Sequence, residues 1–183
     1  MATKVFIGKS VVINNEKYFT FSNSSLARND GYYTDNKLNA PEDVRFKKTQ
    51  IFEPKVLVWL AISEHGVSKV YIHKSKCAIN SEIYLNKCLK QILVPFVRDR
   101  YPDNDYVFWP DLASAHYANN VTNYLEAQSI KFVAKSDNPP NVPQARPIEN
   151  FWASLSLLVY IEGWRAKTKK QLIAIIKKKL KKN

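Results

Sequence analysis

Apolar and polar positions follow two periods along the chain. "SVVIN" and "KYFTFS" read as two β runs, with a polar break between them at Asn14-Asn15-Glu16. Regularity disappears from about Asn23 to Pro54, where "SNSSLARNDGYYTDNKLNAPED" is rich in Asn, Ser and Asp. A loop of that length in one domain is usually functional or disordered. "KVLVWLAIS" is apolar at consecutive positions, which predicts a central strand buried on both faces. "KVYIH" reads as its neighbour.

A period near 3.6 then takes over. Leu85, Cys88, Leu89, Ile92 and Phe96 fall on one face of a helix predicted from about Ser81 to Arg98. "YVFWPD" returns to a strand. Tyr117, Val121, Tyr124 and Leu125 share one side of a helix expected over His116 to Gln128, and "KFVAK" is a short strand. "DNPPNVPQARP" holds four prolines and fits neither a helix nor a central strand. Pro147 suits a first helical position, followed by the stripe Ile148, Phe151, Trp152, Leu155 and Val159. Thr168-x-x-Gln171 forms a capping box before a last helix. That helix has Leu172, Ile175, Ile176 and Leu180 on one face and lysines opposite. Strands first, then alternating helix and strand, imply an α/β fold with a mixed sheet covered by helices.

Composition agrees with one packed domain: 183 residues, 45% hydrophobic and 13% aromatic. The longest apolar run, "VLVWLAI", is far shorter than a membrane span, and the start has no signal-peptide core. Cys77 and Cys88 make no metal-binding pattern, so a reducing compartment is expected. The net charge is +12, and it is unevenly placed. From Arg165 onward there are nine Lys or Arg and no acid, leaving 19 basic against 16 acidic residues before it. A basic end of this kind suits a polyanion, most often nucleic acid; its alternative is a solvated helix that aids solubility.

The acids raise a sharper question. Asp111 ends a strand, Glu149 opens a helix, and 37 residues lie between them. Taken singly, Asp111 reads equally as a turn or cap residue, and Glu149 as an acid favoured by the helix dipole. Together they suit nucleic-acid phosphoryl transfer. That chemistry commonly uses two divalent ions about 4 Å apart, held by carboxylates on rigid elements.

"VVINNEKYFTFS", "YVFWPDLASAH" and "NPPNVPQARPIENFW" resemble the three signature blocks of the mariner-like (Tc/mariner superfamily) DDE transposases. The 37-residue spacing, the Pro-Pro-x-x-Pro before the acid and the aromatic pair after it all carry the resemblance. So does His116, five residues after Asp111. It covers about Val11 to Leu180. It implies a ribonuclease H-like fold, with a five-stranded mixed sheet in the order 3-2-1-4-5. "KVYIH" is then one strand too many. It also implies Mg²⁺ or Mn²⁺ as cofactor, DNA (transposon ends and target) as partner, a possible homodimer on that DNA, and the nucleus as compartment. The family's chemistry is hydrolysis at transposon ends followed by strand transfer.

One position departs from the pattern. Where the resemblance implies a first Asp, this chain has Asn15, followed by Glu16. Asp111 and Glu149 are the implied metal ligands, with Asn15 at the first ligand position. An amide brings one neutral oxygen and cannot bridge two cations. Glu16 cannot replace it, since adjacent strand residues point to opposite faces. The expectation is a strand-cutting architecture with an impaired site; the alternatives are a non-enzymatic DNA-binding or scaffold protein and an unrelated basic domain whose acids are structural. Candidate DNA contacts are Arg28, Arg45, Lys47 and Lys48 in the long loop, and Lys177, Lys178 and Lys181 in the last helix. His116 is expected either at phosphate or as a helix cap. Tyr32 and Tyr33 would stack on bases or pack on the body. Nothing before Val11 reads as the helix-turn-helix region that the family carries, so the catalytic domain alone is expected.

Overall fold

β1 (Ser10–Thr20) is one strand of eleven residues, not two runs with a break. In the computed structural model, which describes residues 8–22, 34–36, 53–73, 78–140 and 146–181, it pairs antiparallel with β2 (Lys55–Ser63). The register runs without interruption from Ile13 opposite Ile62 to Thr20 opposite Lys55. Polar residues do not interrupt a ladder made by the backbone. Their side chains leave the strand on alternate faces, and each finds a polar partner there. Asn14 donates to the Tyr84 hydroxyl (3.1 Å), Asn15 to Glu149 (2.8 Å), and Glu16 meets His116 (3.2 Å).

β2 is buried over six consecutive residues, as its apolar run predicted. Its turn into β3 (Gly66–Val67) is only Glu64 and His65 long, and Gly66 adopts a φ of 113° that suits glycine. β3 and β4 (Tyr71–His73) both pair with the outer edge of β2. Between them Ser68 stays paired with Ala61. Its N–H donates to the Ala61 carbonyl and its hydroxyl accepts the Ala61 N–H, both at 2.9 Å. β3 and β4 are thus one interrupted strand. The surplus in the predicted count came from splitting β1, and "KVYIH" belongs to the third strand.

On the other side of β1, β5 (Tyr106–Trp109) pairs in parallel, from Ser10 opposite Tyr106 to Ile13 opposite Trp109. The strand expected at "KFVAK" shrinks to a single parallel bridge, Phe108 to Phe132. Two backbone bonds hold it: Phe108 N–H to Lys131 O (2.8 Å) and Val133 N–H to Phe108 O (2.9 Å). The order is β3/β4–β2–β1–β5 with the Phe132 bridge outermost, which is the expected 3-2-1-4-5.

Helices cover both faces. α1 (residues 81–100) starts as an α-turn at Ser81–Ile83, widens to a π-helix over Tyr84–Leu93, and ends as α-helix at Val94–Arg100. Pro95 has no N–H to give the preceding turn, and Val94 reaches back five residues to the Leu89 carbonyl. The buried positions of α1 are Tyr84, Cys88, Leu89, Ile92, Leu93, Val94, Phe96 and Val97. Tyr84 is fully buried, while Leu85 of the predicted stripe is only half-buried. With α2 (Asn119–Ala127), α1 covers Val12, Leu57, Trp59, Ala61 and Phe108. The predicted helix start at His116 is a separate 3-10 turn, Ser114–Tyr117, and the chain is extended again at Ala118.

α3 (Pro147–Val159) and α4 (Lys169–Leu180) cover the opposite face, over Ile13, Phe19, Val58, Leu60 and Trp109. The predicted stripe is buried at Ile148, Trp152, Leu155 and Val159, with Phe151 half-buried. Thr168 caps α4 by accepting from the Gln171 N–H (3.2 Å), while the Gln171 side chain returns to the Lys167 N–H (2.9 Å). That is one residue earlier than a capping box would place it. Most of the Asn23–Pro54 stretch lies outside the described residues, including Arg28, Tyr32, Tyr33, Arg45, Lys47 and Lys48.

Tyr160 ties the end of α3 to the sheet: its hydroxyl donates to the Thr20 carbonyl at 2.6 Å. Burial pushes the Tyr160 phenol up to about 12, and that of Tyr106 to about 12 as well. The native state then keeps these protons above pH 10, where an unfolded tyrosine releases them. Their contribution is full below pH 10 and is lost as pH rises from 10 toward 12. Thermal melts should show stability falling through that window. Tyr160→Phe should lower stability at pH 7 by about 1 kcal/mol and flatten the alkaline decline; a decline as steep as in the unaltered chain would contradict this assignment.

Candidate functional site

The last parallel pair between β1 and β5 is Ile13–Trp109. Two residues beyond it on each chain lie Asn15 and Asp111, so the register brings these positions side by side at the sheet's rim. α3 packs on the same face as Ile13, and its first turn carries Glu149. The Asn15 amide nitrogen donates to Glu149 Oε1 at 2.8 Å. Three positions distant in sequence are thereby gathered at one end of the sheet.

Each of these side chains already has protein partners. The Asn15 carbonyl oxygen accepts the Glu16 N–H (2.6 Å), and Asp111 Oδ1 accepts the Leu112 N–H (2.8 Å). Arg146, one residue before α3, points its guanidinium at the same Asp111 oxygen (3.5 Å) and donates to the Asn14 carbonyl (3.0 Å). It lies over the Trp109 ring, 5.4 Å from the centroid. Arg146 is buried while Asp111 stays 43% exposed, so the cation is fixed and the acid faces water. The Arg146 Nε has no hydrogen-bond partner among the described residues.

Glu16 turns to the other face, as strand alternation requires. His116 is almost fully buried, at 2% exposure, and stacks on Tyr84 with ring centroids 4.0 Å apart. One ring nitrogen meets Glu16 (3.2 Å) and the other the Asp111 backbone carbonyl (3.1 Å). His116 is therefore not on the surface where a phosphate could reach it. It is a tie that fixes the Asp111 backbone to β1. Burial first, and the Glu16 charge after it, push the Cys88 thiol well above its ordinary range, as expected of an inert core thiol. Cys77 lies outside the described residues.

Asn138 is the centre of a second tie that the sequence pattern did not single out. It accepts from the Trp109 indole (2.8 Å) and donates to the Pro110 carbonyl (2.9 Å) and the Tyr117 hydroxyl (2.8 Å). This clamps the segment after β5 that carries Asp111. Nothing in "DNPP" distinguishes such an Asn from a turn residue. Arg146 was equally hidden, since its partners are fixed only by the fold.

The donor set does not fit a pair of bridged divalent cations. Among the described residues no group of three His, Cys, Asp or Glu side chains could hold a metal. The amide at the first position turns its N–H toward Glu149, where a bridging site needs an oxygen anion. Lys177 and Lys178 are exposed on α4, and Lys181 is exposed just past its end.

No family model matches the chain. It is 29% identical to the transposable element Tc3 transposase of Caenorhabditis elegans over 153 residues, which span 84% of this chain and 43% of that protein. The fold is similar to the Mos1 transposase paired-end complex with the left transposon end: TM-score 0.74, 18% identity, 99% of this chain and 50% of that one. It is also similar to the catalytic domain of Mos1 mariner transposase: TM-score 0.59, 15% identity, 98% of this chain and 80% of that one. The Mos1 mariner paired end complex solved with Mg is similar too: TM-score 0.72, 17% identity, 98% of this chain and 51% of that one. The chain thus spans about half the length of the Tc3 transposase and of the transposase chains in the paired-end complexes. These likenesses bear out the resemblance to a mariner/Tc1 catalytic domain and its ribonuclease H-like fold.

Asn138→Ala should remove its bonds to the Trp109 indole, the Pro110 carbonyl and the Tyr117 hydroxyl and destabilise the chain by about 1–3 kcal/mol in urea unfolding. A loss below about 0.5 kcal/mol would show that the clamp does not hold this segment.

Proposed function

We propose that this chain, a relative of the mariner/Tc1 transposase catalytic domains, handles DNA strands in cut-and-paste transposition through a site whose metal chemistry is impaired at Asn15. The observation that carries the reading is the convergence of Asn15, Asp111 and Glu149 at one rim of the sheet. An intact set of three acids would hold Mg²⁺ or Mn²⁺ and so supply metal-assisted strand cutting. Here Asp111 offers one exposed carboxylate, Glu149 another, and Asn15 an amide that holds Glu149 in place. Arg146 and His116 orient the Asp111 segment from the buried side. DNA would be the partner, with two copies of the chain acting on a pair of ends, and Lys177, Lys178 and Lys181 as backbone contacts.

A second reading is favoured by the partners of the two acids. Asn15 donates to Glu149 and Arg146 faces Asp111, so both carboxylates are compensated without any metal. A DNA-binding or scaffold protein derived from a transposase would need no more than this.

Asn15→Asp separates the two. In the chain fused to a DNA-reading domain, Mn²⁺-dependent nicking should rise about a thousandfold, which corresponds to roughly 4 kcal/mol of transition-state stabilisation. Mn²⁺ affinity, followed by electron paramagnetic resonance, should rise with it. Tighter Mn²⁺ binding without nicking would favour the scaffold reading. No change in either would remove Asn15 as the disabling position.

A further inference from the structure

We propose that the groove between the 164–167 segment and α4 is a binding site for an unpaired nucleotide, the base stacking on Trp164 and its phosphates meeting Arg165, Lys167 and Lys178. The proposal rests on the DNA-handling reading above and adds to it a place and a strand form. The groove has a volume of about 430 Å³, within the range of small-ligand sites. Trp164, Arg165 and Lys167 form one wall. The other is a stripe of α4, on which Ala174, Ile175 and Lys178 follow at helical spacing. Leu172 and Ile176 are buried in the core, and Trp164 and Ile175 pack against it while remaining partly exposed.

Three features argue for a nucleotide. First, the wall is held in position. Glu162 (φ 53°) and Gly163 (φ 74°) make a left-handed turn just before Trp164, and the Ala166 N–H donates to the Phe21 carbonyl at 2.8 Å. Second, the charge is one-signed: no acidic side chain lines the groove, and none of its three cations is in an ion pair among the described residues. Third, the lining is mostly apolar, with the Trp164 indole facing the carbons of Ala174 and Ile175. A duplex offers only its phosphates to such a concavity, because its bases are stacked inside. An aromatic surface with cations around it suits a single strand, whose bases stack on it whatever their identity. Strand cutting and transfer are steps in which unpaired nucleotides occur.

The test is fluorescence anisotropy of labelled oligothymidylate and of a duplex of equal length, with Trp emission recorded in parallel. The unaltered chain should bind the single strand with quenching of Trp emission. Trp164→Ala and Lys178→Gln should each weaken oligothymidylate binding about tenfold and duplex binding less than about threefold. Lys177→Gln, off the groove stripe, should affect the duplex at least as much as the single strand. Trp164→Phe keeps an aromatic face and should retain most of the binding. If Trp164→Ala does not fold, Arg165→Gln and Lys178→Gln, both at exposed positions, decide the matter. Duplex binding with oligothymidylate affinity unchanged in these variants would overturn the groove and leave the DNA reading standing. Binding of neither DNA would remove both. Displacement of the oligonucleotide by polyglutamate at equal charge concentration would mark an acidic-peptide site and overturn the nucleotide assignment.

Discussion

The parallel pairing of β1 with β5 is the constraint on which the rest depends. Four residue pairs fix it, from Ser10–Tyr106 to Ile13–Trp109. Because side chains alternate across a sheet, a slip of one residue would turn Asn15 away from α3 and Glu16 toward it. The register is therefore what decides which of two neighbouring polar residues reaches Glu149. Val12 and Ile13, one buried under each helical layer, lock it. A site made of positions far apart in sequence can only be as well placed as this pairing.

The same alternation divides the polar groups of β1 by role. On one face, Asn14 and Glu16 enter a buried network with Tyr84 and His116. On the other, Asn15 meets Glu149 at the exposed rim. The buried side is a support layer. It fixes the backbone of Asp111 through His116 and, with Asn138, positions the loop after β5. Rigid backing of this kind is what a site built on loop residues requires. The π-helical stretch of α1 contributes to it, since it carries Tyr84 fully beneath β1.

Much of the fold was legible because it is written in periodicity. The run of six buried residues in β2 and the stripe of α3 follow from apolar spacing, and the cap of α4 from Thr168 and Gln171 three residues apart. Errors arose where backbone pairing overrides side-chain character. Asn14-Asn15-Glu16 looks like a break, yet β2 supplies a continuous ladder. "KFVAK" looks like a strand, yet pairs at a single residue. The positions of Asn15, Asp111 and Glu149 were legible only through the three blocks and their resemblance to a family. Arg146, Asn138 and the burial of His116 were not, because a lone Arg, Asn or His carries no pattern. Their partners come from elements up to 132 residues away, as in the bond from Arg146 to the Asn14 carbonyl.

The amide at position 15 has a consequence for the fold as well as for chemistry. Three carboxylates converging at one rim repel one another unless cations lie between them. At about 4 Å, a like-charged pair costs roughly 4 kcal/mol at an effective dielectric of 20, less at an exposed rim. An Asp at position 15 would face Glu149 at close to hydrogen-bond distance. Asn15 replaces that repulsion with a hydrogen bond, and Arg146 supplies a fixed positive charge beside Asp111. The rim is then electrostatically self-sufficient. Sites held in a destabilising arrangement for function gain stability when that arrangement is relaxed, and an amide at position 15 avoids the repulsion that a third carboxylate there would bring. With an amide at this position the rim pairs its polar groups through Asn15 and Arg146, and it lacks the third anion that a bridged pair of cations needs.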